Sequence, residues 1–345
     1  MGEATQDRDL LLPYRHIGDY EPVDLSRLRP KDSYRRLFEK RTHAIDELVA
    51  KHGRIPPELL VPRSCPTCGA RDGRPEIDKD HLTIVRCPSC DTVYVSPAFD
   101  EAHYLAVYGS PAYQEIMRDL GEASHLYRVE RFGTERVSTM ARYLAPDAGP
   151  CPEYLDVGCS TGFVVEAARR LGWRARGIDL NPSAVEFGRR RGLDLQTVAL
   201  SESGLDGGSL DAVSLFDVLE HLFDPSETLR QCVAALRPGG ILYIYVPNYD
   251  SASRLLMGKD AHFIWPTHHL TYYTPMTART FLERHGLRVE LVQTEGLDIA
   301  DYVWQRQEVF GEDMTVLERV ADTMQFLANA GGYGKNLRVL ARRVA

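Results

Sequence analysis

From Glu153 onward, short apolar runs alternate with stretches in which hydrophobic positions recur every three to four residues. The order EYLDVG, GFVVEAARRLG, ARGIDL, PSAVEFGRRRG, LQTVAL predicts strand, helix, strand, helix, strand, with glycines or a proline at the joins. LDAVSLFDVL continues this as a fourth strand, PSETLRQCVAALR as a helix, and ILYIYVP as a fifth strand entered through the turn RPGG. Helix MTARTFLERHG and strand LRVELVQTEG follow, and GKNLRVLARRV closes the sheet as a last strand. The class predicted is α/β, a doubly wound, Rossmann-like parallel sheet with helices on both faces.

The front of the chain carries a different pattern. Residues 1–60 are polar and punctuated by proline, with one helical stretch over 33–51 where Tyr34, Leu37, Phe38, Ile45, Leu48 and Val49 share a face. An aromatic-rich connector, FDEAHYLAVYGSPAYQEIM, precedes a long helix expected over 123–144, and Pro146, Gly149 and Pro150 then mark a boundary. The organisation expected is a helical extension over 1–60, a small cysteine module over 61–100, a helical connector or lid over 101–149, and the α/β domain over 150–345. Neither an internal repeat nor a low-complexity tract is present.

Composition narrows the partners. With 345 residues, 43% hydrophobic and 26% charged, the chain has room for a full core and sits near globular averages. A formal net charge of −8 disfavours a general nucleic-acid binder, which needs surplus Lys and Arg to displace counterions. The segment from Arg54 to Asp100 holds six basic and seven acidic side chains, so the cysteine module is no basic patch. The opening MGEATQDRDLLLPYRH lacks an apolar core, and the longest apolar run, ILYIYV, is far too short for a membrane span. A cytoplasmic protein without membrane contact is expected.

DVGCSTG, Asp156 to Gly162, falls where the first strand must turn into the first helix. Small residues there let a ligand approach the backbone at the carboxyl ends of the strands, although glycines at such a turn also relieve tight packing. Asp179, with Leu180 in GIDLNP, ends the second strand 17 residues past Gly162, near the offset at which a carboxylate accepts hydrogen bonds from ribose hydroxyls. The loop reads Gly158-x-Ser160-x-Gly162 rather than Gly-x-Gly-x-x-Gly, a spacing that disfavours NAD.

Together with RPGG and FDVLEHLFDP, these residues resemble the class I S-adenosylmethionine-dependent methyltransferases, over about residues 150–295. The resemblance implies that Asp156, Gly158, Ser160 and Gly162 surround the methionine part of S-adenosylmethionine. It also implies Asp179 and Leu180 at the ribose, and Phe216 and Asp217 beside the cofactor. Ser160 stands where the family often has glycine; Ser201 and Glu202 are the candidates for the adenine. A sulfonium is already an activated donor, so the protein must align the acceptor and deal with its proton. His221, just past the fourth strand, suits a base, with Glu220 beside it; a histidine that merely packs under the loop is the plain alternative. FIWPTHHLTYYTP adds His268, His269, Trp265, Tyr272 and Tyr273 to the expected acceptor pocket, with one of the two histidines facing the acceptor. Tyr104, Tyr108 and Tyr113 are candidates for a lid over the cofactor.

Four of the seven cysteines, Cys65-x2-Cys68 and Cys87-x2-Cys90, lie in two pairs with 18 residues between them, the spacing of a four-cysteine zinc ribbon. Four thiolates fill tetrahedral zinc, so this Zn2+ is expected to be structural. A zinc ribbon before a methyltransferase core is similar to bacterial sugar and natural-product small-molecule methyltransferases. The function expected is methyl transfer from S-adenosylmethionine to a hydroxyl oxygen of a small-molecule acceptor. The alternatives are C- or N-methylation of a nucleotide-linked sugar, an RNA methyltransferase, and a cofactor-binding protein without catalysis.

Overall fold

The computed structural model describes residues 17–28, 43–145 and 148–344. Helix His43–His52 is the part of the stretch predicted over 33–51 that falls within them. Tyr34, Leu37, Phe38 and Pro146 lie outside the described residues.

The cysteine module is a small antiparallel unit. Strands β1 (Leu60–Val61) and β5 (Ala98–Phe99) pair at its base, while β2 (Arg74–Lys79), β3 (Leu82–Arg86) and β4 (Val93–Val95) form a meander. Next come helix Glu101–Gly109, capped by the Asp100 carboxylate, and helix Pro111–Arg128. The latter passes through a wide π-type turn at Val129–Gly133 into helix Thr134–Tyr143. The helix predicted over 123–144 therefore begins a dozen residues earlier. Ser110 caps it, accepting from the Tyr113 amide, and Pro111 fills the first turn, where no amide is needed.

The main sheet holds β6 (Glu153–Val157), β7 (Arg174–Asp179), β8 (Leu195–Thr197), β9 (Leu210–Phe216), β10 (Leu236–Pro247), β12 (Leu287–Glu295) and β13 (Asn336–Arg343), in the order β12-β13-β10-β9-β6-β7-β8. The last strand does not close an edge. It inserts between β10 and β12, antiparallel to both, which suits Leu337, Val339, Leu340 and Ala341, buried on both its faces. RPGG lies within β10, where the ladder slips between Leu236 and Ile241 and Gly239 takes φ +79°; the expected turn is a bulge.

One strand joins the two parts of the chain. After β10 the chain runs out to β11 (Thr271–Tyr272), which pairs with β4 (Thr271 opposite Tyr94, Tyr272 opposite Val93). The front module thus shares a sheet and an apolar cluster with the loop after β10: Ile84, Val93, Val95, Phe99 and Tyr104 pack with Tyr249, Phe263, Ile264, Leu270 and Tyr272. Buried Arg63 ties the same junction, donating to the carbonyls of Leu270 at 2.8 Å and Phe223 at 2.9 Å.

Candidate functional site

The turn from β6 to helix Phe163–Arg170 needs left-handed backbone at three positions: Gly158 (φ +74°), Ser160 (φ +50°) and Gly162 (φ +78°). At Gly158 a Cβ would stand 2.3 Å from Val218 Cγ2, so only glycine fits. Ser160 adopts the conformation glycine would take there, at a cost of about 1–3 kcal/mol, and its amide donates to Asp179 Oδ2 at 2.7 Å. The other oxygen of Asp179 accepts from the Asn181 amide at 2.8 Å. Each carboxylate oxygen keeps a further lone pair for a ligand hydroxyl. His125 clamps the loop from above, with Nδ1 2.9 Å from Thr161 Oγ1 and Nε2 2.9 Å from Glu166.

Asp156 lies beneath this loop and is buried. It accepts from Ser214 Oγ at 2.5 Å, and that hydroxyl also lies 2.5 Å from the Tyr154 hydroxyl. Burial, against the opposing Ser214 bond and Arg136 charge, pushes its carboxyl from 3.8 up to about 7. Between those values the folded chain holds a proton that the unfolded chain releases, so this group makes stability fall as pH rises from 3.8 to about 7. Thermal unfolding of the cofactor-free protein should show that fall, and Asp156→Asn should flatten it; equal pH slopes for the two proteins would refute the assignment.

A cavity of about 320 Å³ lies past the end of β9. Its walls include Tyr20, Val23 and Leu28 of the front segment; Arg131 and Phe132 of the wide turn; Asp217, Tyr245 and Glu295 at strand ends; Glu220 and His221; Trp265 and His269 of the loop before β11; and Asn329, Lys335 and Asn336 around the start of β13. Asp217 links it to the expected cofactor contacts. Burial raises the Asp217 carboxyl against the pull of Arg136, Arg128 and Lys335. Phe216 is buried behind it, under the Arg136 guanidinium at 4.3 Å.

The turn Leu219–His221 and the loop before β11 are stitched together. The Leu270 amide donates to the Glu220 carbonyl at 2.6 Å, and the Val95 amide of the front module donates to the Leu270 carbonyl at 3.0 Å. His221 Nδ1 lies 3.0 Å from the His268 carbonyl. A carbonyl can only accept, so Nδ1 carries the proton and Nε2 the lone pair. The Tyr108 hydroxyl is 2.9 Å from the same Nδ1 and donates to the same carbonyl at 3.3 Å. Burial pushes His221 down from 6.5 to about 4, so its ring is neutral at pH 7. Glu220 is buried, its Oε2 has no hydrogen-bond partner among the described residues, and burial together with Asp217 pushes its carboxyl well above the usual range.

The two adjacent histidines separate. His269 lines the cavity, its Nδ1 donating to the Phe263 carbonyl at 2.7 Å. His268 is buried, stacked on Trp265 with ring centroids 3.8 Å apart, and contributes its carbonyl. Tyr104 is no lid: it is buried in the front module's core, edge-on to Phe99. Tyr108 and Tyr113 do reach the site, Tyr108 at His221 and Tyr113 stacked on His268. Tyr272 and Tyr273 are core residues. Leu180, Ser201 and Glu202 are exposed at the rim of β7 and β8. The cavity residues Tyr20, Arg131, Phe132 and Glu295 carry no local motif, which is why sequence reasoning passes over them.

At the four cysteines, Cys65 Sγ is 3.4 Å from Cys90 Sγ, and Cys68 Sγ is 3.5 Å from Cys87 Sγ. These separations far exceed the roughly 2.05 Å of a disulfide and are close to the edge of a tetrahedron with metal–sulfur bonds of about 2.3 Å. Each pair is followed by a tight turn: the Gly69 amide donates to the Cys65 carbonyl at 2.8 Å and the Asp91 amide to the Cys87 carbonyl at 2.9 Å. Gly69 and Asp91 both take positive φ. The donor set and its geometry fit a four-thiolate zinc ion.

Residues 127–292 are similar to the family described as "Methyltransferase domain", and a cluster of four cysteines precedes them. A ubiquinone biosynthesis O-methyltransferase of Xanthomonas axonopodis pv. citri is 32% identical over 149 residues, 39% of this chain and 62% of that protein. The protein of the same name from Xanthomonas campestris pv. campestris is 34% identical over 122 residues, 33% of this chain and 51% of its own length. The chain therefore spans less than two thirds of these curated relatives. A SAM-dependent methyltransferase structure from Archaeoglobus fulgidus aligns with a TM-score of 0.44 and 20% identity, over 63% of this chain and 98% of that one. Among the described residues, no helix is long and apolar enough to cross a membrane.

Proposed function

We propose that this protein transfers the methyl group of S-adenosylmethionine to a hydroxyl oxygen of a small-molecule acceptor in a biosynthetic pathway. The observation that carries the reading is Asp179: both its oxygens are oriented by backbone amides, one from the loop that would cradle the methionine part, as a ribose diol requires. Asp156, Gly158, Ser160 and Gly162 would surround the methionine part, Leu180 would lie at the ribose, and Phe216 and Asp217 beside the cofactor. The relatives named O-methyltransferases support oxygen as the target.

When bound, S-adenosylmethionine supplies a methyl group that leaves its sulfonium without prior activation. The chain's own part is to seat the acceptor in the cavity, exclude water and meet its hydroxyl at the Glu220–His221–His269 end, with His268 holding the His221 tautomer through its carbonyl. The cysteine cluster serves as a structural zinc site that braces the acceptor wall through β4 and β11. The net charge of −8 argues against a polyanionic RNA substrate.

The test is incubation of the full chain with methyl-labelled S-adenosylmethionine and a small-molecule extract of the producing cell. Label in a metabolite heavier by one CH2 is expected. Label in RNA only, or cofactor that fails to bind at all, would refute the reading.

A further inference from the structure

We propose that Glu220, His221 and His269 form a second metal site, distinct from the four cysteines, which takes a divalent transition-metal cation at the cavity wall. One ligand atom from each residue lies within 4.8 Å of the other two. Around an octahedral ion with bonds of about 2.1 Å, ligand atoms stand roughly 3 to 4.2 Å apart, so side-chain movements of about an ångström or less close the set on an ion.

Three features make this a built site rather than a chance cluster. Both histidines donate Nδ1–H to a backbone carbonyl, His221 to His268 and His269 to Phe263. That is the arrangement that fixes a metal-ligating imidazole and leaves Nε2 as the electron-pair donor. Glu220 is 1% exposed, and among the described residues its Oε2 has no hydrogen-bond partner. Ionising a buried carboxyl in that setting is costly, and a bound cation removes the cost. Finally, the two chain segments are held in register by the Leu270 amide on the Glu220 carbonyl, so the ligands are preorganised by backbone.

Two imidazoles and one carboxylate, with the remaining positions open toward the cavity, select a borderline divalent ion over magnesium or calcium, which prefer oxygen ligands throughout. The role of the ion rests on the methyl-transfer reading; the site itself does not. An acceptor hydroxyl bound to the ion loses its proton more readily. The O–H bond breaks and its proton passes to water through the cavity. The oxygen electron pair then forms the O–CH3 bond as the S–CH3 bond breaks, its electrons remaining on sulfur as a neutral thioether. His221 in this scheme is a ligand and not the base.

The probe is Co2+ added to the zinc-loaded full chain. Coordination by nitrogen and oxygen gives weak visible bands, whereas exchange into the four cysteines also gives intense thiolate-to-metal absorption. Expected are visible bands saturating at one equivalent without the thiolate absorption, and apparent affinity at least tenfold weaker in both Glu220→Gln and His269→Ala. Asp179→Ala should bind Co2+ as the wild type does even where it no longer binds S-adenosylmethionine, which separates this proposal from the cofactor reading. Wild-type protein that gains only thiolate absorption, or no absorption, overturns the site. So do Glu220→Gln and His269→Ala proteins, folded by circular dichroism, that titrate like the wild type.

Discussion

Replacing Asp179 with alanine is expected to weaken S-adenosylmethionine binding by about 100-fold or more, measured by calorimetry. Two hydrogen bonds from ribose hydroxyls to a carboxylate contribute about 1.5–3 kcal/mol each, and about 2.7 kcal/mol is a factor of 100 in affinity. The same change strips the acceptor from the Ser160 and Asn181 amides. Ser160 then sits in left-handed backbone without the bond that holds it there, and the glycine loop loosens. Asp179→Asn separates the two effects. One amide oxygen can still receive the Ser160 or the Asn181 amide but not both, so loop order should partly recover while ribose binding stays weak. Unchanged affinity in the alanine variant would place the cofactor elsewhere and refute the reading of this loop.

The second large effect is expected from Cys87→Ser. The substitution removes one of four thiolates, and bound zinc, measured by elemental mass spectrometry, should fall from stoichiometric to near zero. Structural zinc contributes on the order of 10 kcal/mol to the folding of small zinc modules, so the front module should lose its order. The damage should travel along a defined route. Strand β4 carries Val95, whose amide holds the Leu270 carbonyl, and pairs with β11, so losing β4 frees the loop that carries His269. Hydrogen exchange should therefore accelerate at residues 92–96 and 262–272, while the Asp179 end, on the far side of the sheet order, keeps its protection and its affinity for S-adenosylmethionine. Full zinc retention in the variant would show that the four cysteines are not the ligand set.

The two expectations differ in what they rest on. Asp179 and its loop are local: a strand end, a tight turn and an acid at a characteristic offset, all in one short span of sequence. The cavity side is not local. His269 faces the cavity and His268 does not because Trp265 stacks on one ring and the Phe263 carbonyl holds the other, and no spacing rule distinguishes neighbours in THHL. Tyr104 and Tyr108, one helical turn apart, divide in the same way, one into the module core and one onto His221.

Residues close together in the chain were enough to specify the alternation of strands and helices, the left-handed glycine loop, the carboxylate at the second strand's end and the paired cysteines, because each follows from short-range spacing. The assembled fold was needed to place the last strand inside the sheet, to weld the cysteine module to the cavity wall through β11, and to bring Tyr20, Arg131 and Glu295 into one cavity with Glu220, His221 and His269. Those contacts join residues far apart in sequence, and they are selected by which buried surfaces and backbone hydrogen bonds can be satisfied together, a condition that no local pattern encodes.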